Sequence, residues 1–382
     1  MRILFICENY LPHYGGAEVL FKNLAERYVQ QGHTVSVLTH QIRGTAREEV
    51  IKGVQVYRVP SFFSRYMFTF LAIPKALRLA RKHDIIQTTT FNGAPPAWLA
   101  GKLMNKPVVL TVHEVWIGRW KEITGFSTLS CFIHNLLERA IYWLPFDKYI
   151  CVSEATKNDL RKRGIAAGKV VRIYNGVDYD FWNPATVDKK EIQKLRTRLN
   201  LQHKWVYFSW GRPGNSKGFD SLIRAAAKGK ELVPRSALVL MFGSVDQYRR
   251  KYRELLALIE QLHLQDYVTV VPSVSYPELK HYVAMADTVV VPSLSEGFGY
   301  NALEAVSIDT PVIISNAGSL PEVVGGKHLV FKSKDAADLA QKMKEAAAGR
   351  WNFSPKKVFL WDRTIKEYLK TYEEVLGSKK GN

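Results

Sequence analysis

Cysteine is scarce in this 382-residue chain, which has three, Cys7, Cys131 and Cys151, far apart and without a Cys-x-x-Cys pair. That excludes a disulfide framework and a zinc knuckle and suits a reducing compartment, each thiol being expected as a buried, inert group. Long apolar runs are missing as well: no window approaches the roughly 18 to 20 apolar residues that cross a bilayer. Glu8 and Asn9 interrupt the apolar start at Met1–Cys7, and no small-residue cleavage site follows, so no secretory signal is expected. The expected location is cytoplasmic, with peripheral attachment to the cytoplasmic face of a membrane as the fuller reading. Negative charge is short too, 35 Asp/Glu against 54 Lys/Arg, a net charge of +19. The surplus is spread, +10 over residues 1–182 and +9 over the rest, so it is no basic tail. Such a field attracts polyanions such as anionic lipid, nucleic acid or phosphorylated substrates.

What is present is ordinary for a globular protein, 47% hydrophobic and 23% charged, and too long for one comfortable core. Short apolar runs alternate with helical periodicity. Arg2–Cys7 reads as a strand, Val19–Tyr28 as a helix ending near Gly32, and Thr34–Leu38 as the next strand. The pattern continues through strands at Val54–Val59, Asp84–Gln87, Pro107–Val112, Tyr149–Ser153 and Val170–Tyr174. Asn183–His203 is polar and reads as a linker with a weak helix. A second series starts at Trp205, with strands at Val206–Trp210, Leu238–Phe242, Val268–Val271, Thr288–Val291 and Pro311–Ser315. Alternating strands and helices of this kind make parallel sheets flanked by helices.

Two stretches are aromatic and basic. Residues 61–82 hold five aromatics, then Lys75, Arg78, Arg81 and Lys82 on largely one side of a helix, which suits an interfacial membrane helix or a core helix with a solvated basic edge. Residues 115–145 hold Trp116, Trp120, Phe126, Phe132, Tyr142 and Trp143, a stretch suited to acceptor binding or to facing a membrane.

The chemistry concentrates at strand ends. Arg212 and Lys217, five apart on the glycine-bearing loop after Val206–Trp210, can converge on one diphosphate, Arg as a planar fork and Lys as a point charge. Ser293–Glu304 follows the strand Thr288–Val291 and opens a helix, so its first amides offer an anion site. Glu296 and Glu304 bracket that site. Carboxylates repel phosphate, so sugar hydroxyls are their expected partners. His113 ends another parallel strand, where such sheets bind ligands. Gly15 and Gly16 form a glycine pair but not a Gly-x-Gly-x-x-Gly fingerprint. Asp178-Tyr179-Asp180 spells a metal motif of a different fold, yet it follows a turn and reads as structural.

Glu296-Gly297-Phe298-Gly299-x-x-x-Leu303-Glu304 resembles the Glu-x7-Glu motif of the retaining, nucleotide-sugar-dependent glycosyltransferases of family 4. The Gly211-Arg212…Lys217-Gly218 frame, the Asn175-Gly176-Val177-Asp178 corner and Gly318-Ser319-Leu320-Pro321-Glu322 are similar to that family's motifs, with Ser319 in place of a glycine and Asp309 where a glycine is usual. The resemblance implies a GT-B fold, two Rossmann-like domains facing a central cleft. It implies an acceptor domain at 1–182, a linker at 183–203, a nucleotide-sugar domain at 204–360 and a helix at 361–382 crossing back to the first domain. It also implies donor binding by Gly15, Gly16, Arg212, Lys217, Glu296, Phe298, Gly299, Asn301, Ala302, Leu303 and Glu304. The expected catalytic groups are His113, Arg212, Lys217 and Glu296, with no metal and no cofactor beyond the nucleotide-diphosphate sugar. The expected acceptor is a glycan or lipid-linked hydroxyl at an anionic membrane. A nucleotide-sugar epimerase or a glycoside phosphorylase of the same fold stays open, as does, from another class, a non-catalytic polyanion- or nucleic-acid-binding protein. Nucleic acid is not expected as a partner, because the cations are distributed and no helix-turn-helix or aromatic-basic sheet motif occurs.

Overall fold

The computed structural model describes residues 1–13, 15–60 and 65–380. Tyr14, in the loop before the glycine pair, and Phe62 and Phe63, of the first aromatic-basic stretch, lie outside the described residues.

The chain forms two compact units. The first comprises residues 1–118, 128–176 and the C-terminal segment from Phe359; the second comprises Arg119–Ser127 and Val177–Val358. In chain order the first unit carries β1 (Arg2–Ile6), α1 (Gly16–Gln30), β2 (Thr34–His40), β3 (Glu48–Ile51), β4 (Val54–Val59), α2 (Phe68–Leu71), α3 (Ile73–Ala80), β5 (Ile85–Thr89), α4 (Ala94–Leu103) and β6 (Val108–Val112). After α5 (Trp120–Thr124), which belongs to the second unit, come α6 (Thr128–Trp143), β7 (Lys148–Cys151), α7 (Glu154–Arg161) and β8 (Val170–Arg172). The eight strands lie in the order β3-β4-β2-β1-β5-β6-β7-β8, all parallel except β3.

Strands β1, β2, β5 and β6 are buried almost throughout because helices cover both faces of the sheet. On one face Leu4 and Ile6 join Phe68, Ala76, Leu79 and Ala97. On the other, Phe5 meets the edge of Phe21 with ring centres 5.2 Å apart. Tyr28 of α1 lies 6.0 Å from Tyr372. The helix α3 buries Ala76, Leu79 and Ala80, so its apolar side is spent on this core. Lys75 pairs with Glu48 at 2.5 Å and sits over the Tyr57 ring. Of the two readings of residues 61–82, the core helix with a basic edge is the one found for α3. Glu49 of β3 pairs with the buried guanidinium of Arg58, which ties this charged edge strand to β4.

The second unit runs α8 (Lys189–Arg198), β9 (Trp205–Gly211), α9 (Phe219–Leu232), β10 (Ser236–Phe242), α10 (Arg249–Gln261), β11 (Val268–Pro272), α11 (Tyr276–Met285), β12 (Thr288–Val291), α12 (Tyr300–Ser307), β13 (Val312–Ser315), α13 (Leu320–Val323), β14 (Gly326–Phe331), α14 (Ala336–Ala347) and β15 (Asn352–Ser354). Its order is β11-β10-β9-β12-β13-β14-β15, parallel except β15. Tyr207, Leu238 and Leu240 pack with Phe219, Leu222, Leu255 and Leu339 on one face. Segment 183–203 packs on this unit through α8: Arg196 donates to the Met285 carbonyl at 2.9 Å and pairs with Asp287 at 2.6 Å. The last helix, α15 (Trp361–Lys380), packs with the first unit, where Thr364 donates to the Tyr174 carbonyl at 2.8 Å.

All three cysteines are buried and unbridged. Burial pushes the Cys7 and Cys151 thiols up, which keeps them protonated. Among the described residues no helix is long and apolar enough to cross a membrane.

Candidate active site

In the second unit the site grows from the C-terminal ends of β9 and β12, neighbouring parallel strands. Past β9, Arg212 is exposed, and among the described residues its side chain has no hydrogen-bond or ion-pair partner. The short turn Asn215–Lys217 brings Lys217 back toward the strand ends, where its ammonium donates to Glu296 Oε2 at 2.8 Å. Ser293 donates to the same oxygen at 3.0 Å. The two loops are stitched together, because the Leu294 amide donates to the Ser216 carbonyl at 2.7 Å. A pocket at these strand ends is lined by Trp210, Lys217, Pro292, Ser293 and Asn301 among others.

Glu296 is held from behind. The amide of Ser319 donates to its carbonyl at 3.0 Å and the Ser319 hydroxyl at 3.1 Å, so the serine that departs from the family pattern supports the site. Gly318 lies at φ +55, and a Cβ there would stand 2.2 Å from the Glu296 carbonyl oxygen. Gly299, at φ +86, begins α12 in the left-handed region that glycine tolerates. Phe298 is buried, leaving its backbone as the part a ligand could reach.

The sequence expects anion donors from Asn301 to Leu303, and here the structure corrects it. The Leu303 amide already donates to the Gly299 carbonyl at 3.2 Å as the first i→i−4 bond of α12, so only Asn301 and Ala302 of the three lie ahead of it. The Asn301 side chain donates to the Trp210 carbonyl at 2.8 Å, fixing the start of α12 to the end of β9.

Glu304, one turn into α12, is 8% exposed. Burial pushes its carboxyl up to about 8, opposed by a hydrogen bond from Tyr276 and by the charge of Lys217. The Tyr276 hydroxyl donates to Glu304 Oε1 at 3.1 Å and accepts from Trp182 Nε1 at 2.7 Å. Its ring stacks on Phe181 with centres 4.8 Å apart. No motif in the sequence signals this chain of hydrogen bonds. The segment Arg119–Ser127 completes the unit: Arg119 donates to the Leu294 carbonyl at 2.6 Å, and Glu122 pairs with both Arg119 and Lys334 at 3.2 Å. Asp178 accepts from the Phe181 amide at 3.1 Å in a tight turn, the structural role expected for it.

In the first unit, His113 follows β6 and the glycine pair opens α1. Gly15 is extended and its carbonyl accepts from the Val19 amide at 2.9 Å. His113 is half-buried, its Nε2 shut off from solvent and, among the described residues, without a hydrogen-bond partner. Burial lowers its imidazole to about 4, partly offset by the charge of Glu18. Around it sequence reasoning overlooked a polar group at the strand ends. Asn92, after β5, donates to Glu8 Oε2 at 2.7 Å, and His13 contacts Glu18 at 3.2 Å. Their signal was positional: Glu8 and Asn92 follow the C-terminal ends of β1 and β5, where the strand order turns outward in both directions.

Residues 14–181 match the model of Glycosyltransferase Family 4, and residues 191–355 match that of Glycosyl transferases group 1. An uncharacterized glycosyltransferase of Methanocaldococcus jannaschii is 32% identical over 86% of this chain and 84% of its own length. The chain belongs to the family 4, group 1 glycosyltransferases. This glycosyltransferase is also 23% identical to the GPI3 subunit of the phosphatidylinositol N-acetylglucosaminyltransferase of Saccharomyces cerevisiae, over 90% of the chain and 75% of that subunit. The crystal structure of Anabaena HepE in complex with UDP and glucose superposes with a TM-score of 0.76 at 21% identity, covering 98% of the chain and all of HepE. The glycosyltransferase thus has the GT-B fold, two mostly parallel sheets flanked by helices.

Proposed function

We propose that this enzyme moves a sugar from a nucleoside-diphosphate sugar to a hydroxyl of a membrane-borne acceptor, with retention of anomeric configuration and without a metal ion. The observation that carries the reading is the cation pair after β9: Arg212 is exposed and Lys217 is within 2.8 Å of the Glu296 carboxylate, beside the start of α12. Breaking a sugar–phosphate bond leaves positive charge on the anomeric carbon and negative charge on the departing diphosphate. Arg212, Lys217 and the amides of Asn301 and Ala302 are donors suited to that diphosphate, the role a divalent cation has in other folds. Glu304 is assigned to the ribose hydroxyls. Glu296 and the backbone of Phe298 and Gly299 are assigned to the sugar hydroxyls. His113, Gly15 and Gly16, in the first unit, keep the sugar and phosphate roles that the resemblance implies.

In the step we favour, the acceptor oxygen attacks the face that the diphosphate leaves. The bond from anomeric carbon to phosphate oxygen breaks, the new carbon–oxygen bond forms on the same side, and the acceptor proton passes to the leaving phosphate. The engagement of Glu296 with Lys217 and Ser293 favours a sugar ligand over a nucleophile. The HepE complex with UDP and glucose and the phosphatidylinositol named for the GPI3 enzyme support the donor and acceptor classes. Buried thiols suit the cytoplasmic face of a membrane.

A thermal-shift screen of UDP-, GDP- and ADP-sugars with and without EDTA tests the donor. Stabilisation by one donor, unchanged by chelator, is the expected outcome; none by any of them would remove the reading. Proton NMR of the product then reports whether the donor's anomeric configuration is kept.

A further inference from the structure

The helix α6 turns an apolar face to solvent. Leu129, Phe132, Ile133, Leu136 and Leu137 recur at spacings of three and four residues, one face of a helix that Trp143 continues two turns beyond Leu136, and all are exposed, Leu129 by 69%, Phe132 by 60% and Trp143 by 77%. The inward face buries Cys131, Ile141 and Tyr142 together with one carboxylate. Glu138, fully buried, accepts from the Trp116 amide at 2.8 Å, and Asn135 accepts from the Gly118 amide at 2.6 Å. Those bonds fix the helix roll, so the apolar stripe cannot turn inward without stranding a carboxylate and two amides. The stripe also extends beyond α6. The Tyr66 hydroxyl and His134 Nε2 stand 3.1 Å apart, which joins the turn before α2 to α6. Beside Tyr66, Met67 is 40% exposed and Phe70 of α2 is 65% exposed.

We propose that this face of the first unit docks on an anionic lipid bilayer, α6 lying in the plane of the membrane with its stripe among the acyl chains. The inference deepens the reading of a membrane-borne acceptor and names the surface that would meet the membrane. Charge selects the occupant. The sole carboxylate of α6 is the buried Glu138, while Arg139 beside it is exposed. Residues 61–82 contain five Lys/Arg and no Asp/Glu, and Arg78, Arg81 and Lys82 are exposed. Tyr66 and Trp143 are the aromatic types that settle at the headgroup level. Apolar contact together with cations is what an anionic surface rewards.

Sedimentation of the full chain with vesicles tests this with neither donor nor acceptor present, so the result is independent of transfer activity. The vesicles are phosphatidylcholine alone, or phosphatidylcholine with phosphatidylglycerol. Wild type should partition at least tenfold better onto the mixed vesicles. Leu129→Ser/Phe132→Ser should lose at least tenfold, and Arg78→Glu/Arg81→Glu/Lys82→Glu should lose the preference for phosphatidylglycerol. Both alter exposed side chains, and an unchanged thermal midpoint certifies their fold. Trp143→Phe should remove a blue shift of tryptophan emission that wild type shows on mixed vesicles. Equal binding by wild type and Leu129→Ser/Phe132→Ser would overturn the proposal. So would a vesicle-indifferent wild type that runs as a dimer and becomes monomeric in that variant, which would make the face a contact between copies. Active enzyme that ignores vesicles would refute the docking surface alone, and vesicle binding by a protein inert toward all donors would refute the transferase reading alone.

Discussion

Replacing Glu304 by glutamine should stabilise the protein in alkaline buffer while crippling it as an enzyme. The carboxyl is pushed up to about 8 from an ordinary 4.5, chiefly because it is buried. The folded state therefore holds the proton more tightly than the unfolded chain does. The stability this proton confers is fully present below pH 4.5 and is lost as pH rises through about 8. At 1.36 kcal/mol per pKa unit, integration between pH 5 and pH 8 gives a loss of about 3 to 4 kcal/mol from this group. Glutamine is neutral at both pH values and its Oε1 can still accept from Tyr276. Urea denaturation of both proteins at pH 5, 6.5 and 8 should show the difference in unfolding free energy growing in favour of Glu304→Gln by about that amount. Comparing the two proteins cancels every other titrating group, His113 included. Donor affinity should move the opposite way. Ribose hydroxyls donate to the carboxylate, so wild-type binding should tighten as pH rises toward 8 and beyond, and the variant should show no such trend. Unfolding curves that stay parallel across the three pH values would refute the reasoning, because a carboxyl that is ionised throughout cannot be in the dry setting described.

Lys217→Ala should lower kcat by about 10²- to 10³-fold, the usual loss on removing one preorganised donor, and wild-type turnover would remove the assignment. His113→Asn should leave the acid side of the kcat/KM profile between pH 5 and 7 unchanged in shape, since an imidazole at about 4 is neutral throughout that range; an acid limb near 6.5 that vanishes in the variant would contradict the burial. Gly318→Ala should cost about 2 kcal/mol in urea unfolding and reduce activity as well, because a left-handed residue and a Cβ at 2.2 Å both push on the Glu296 backbone.

The architecture could be read from the chain because strands buried on both faces have to be apolar and β-branched, as Val289–Val291 and Val312–Ile314 are. The two antiparallel edge strands could not. Glu48–Ile51 carries two carboxylates and Asn352–Ser354 is polar or exposed, so neither has the pattern of a buried strand. The motif loops placed Lys217 and Glu296 on one site, and they meet at 2.8 Å. The Tyr276 contact to Glu304 spans 28 residues of chain and the Asn92 contact to Glu8 spans 84, and no local spacing encodes either. The orientation of α6 was equally hidden. A three-four repeat marks an apolar side but not its direction, and what decides it is Glu138 and Asn135 capping the amides of Trp116 and Gly118.

Arg119–Ser127 belongs by its contacts to one unit while both of its ends continue into the other. The polypeptide accordingly passes between the two units four times, and no single cut yields a whole half. A fragment starting at Val177 would leave the Leu294 carbonyl and Lys334 without the Arg119 and Glu122 that hold them. Anyone wishing to study the second unit in isolation, or to exchange it with a relative's, would have to carry that nonapeptide along as a graft.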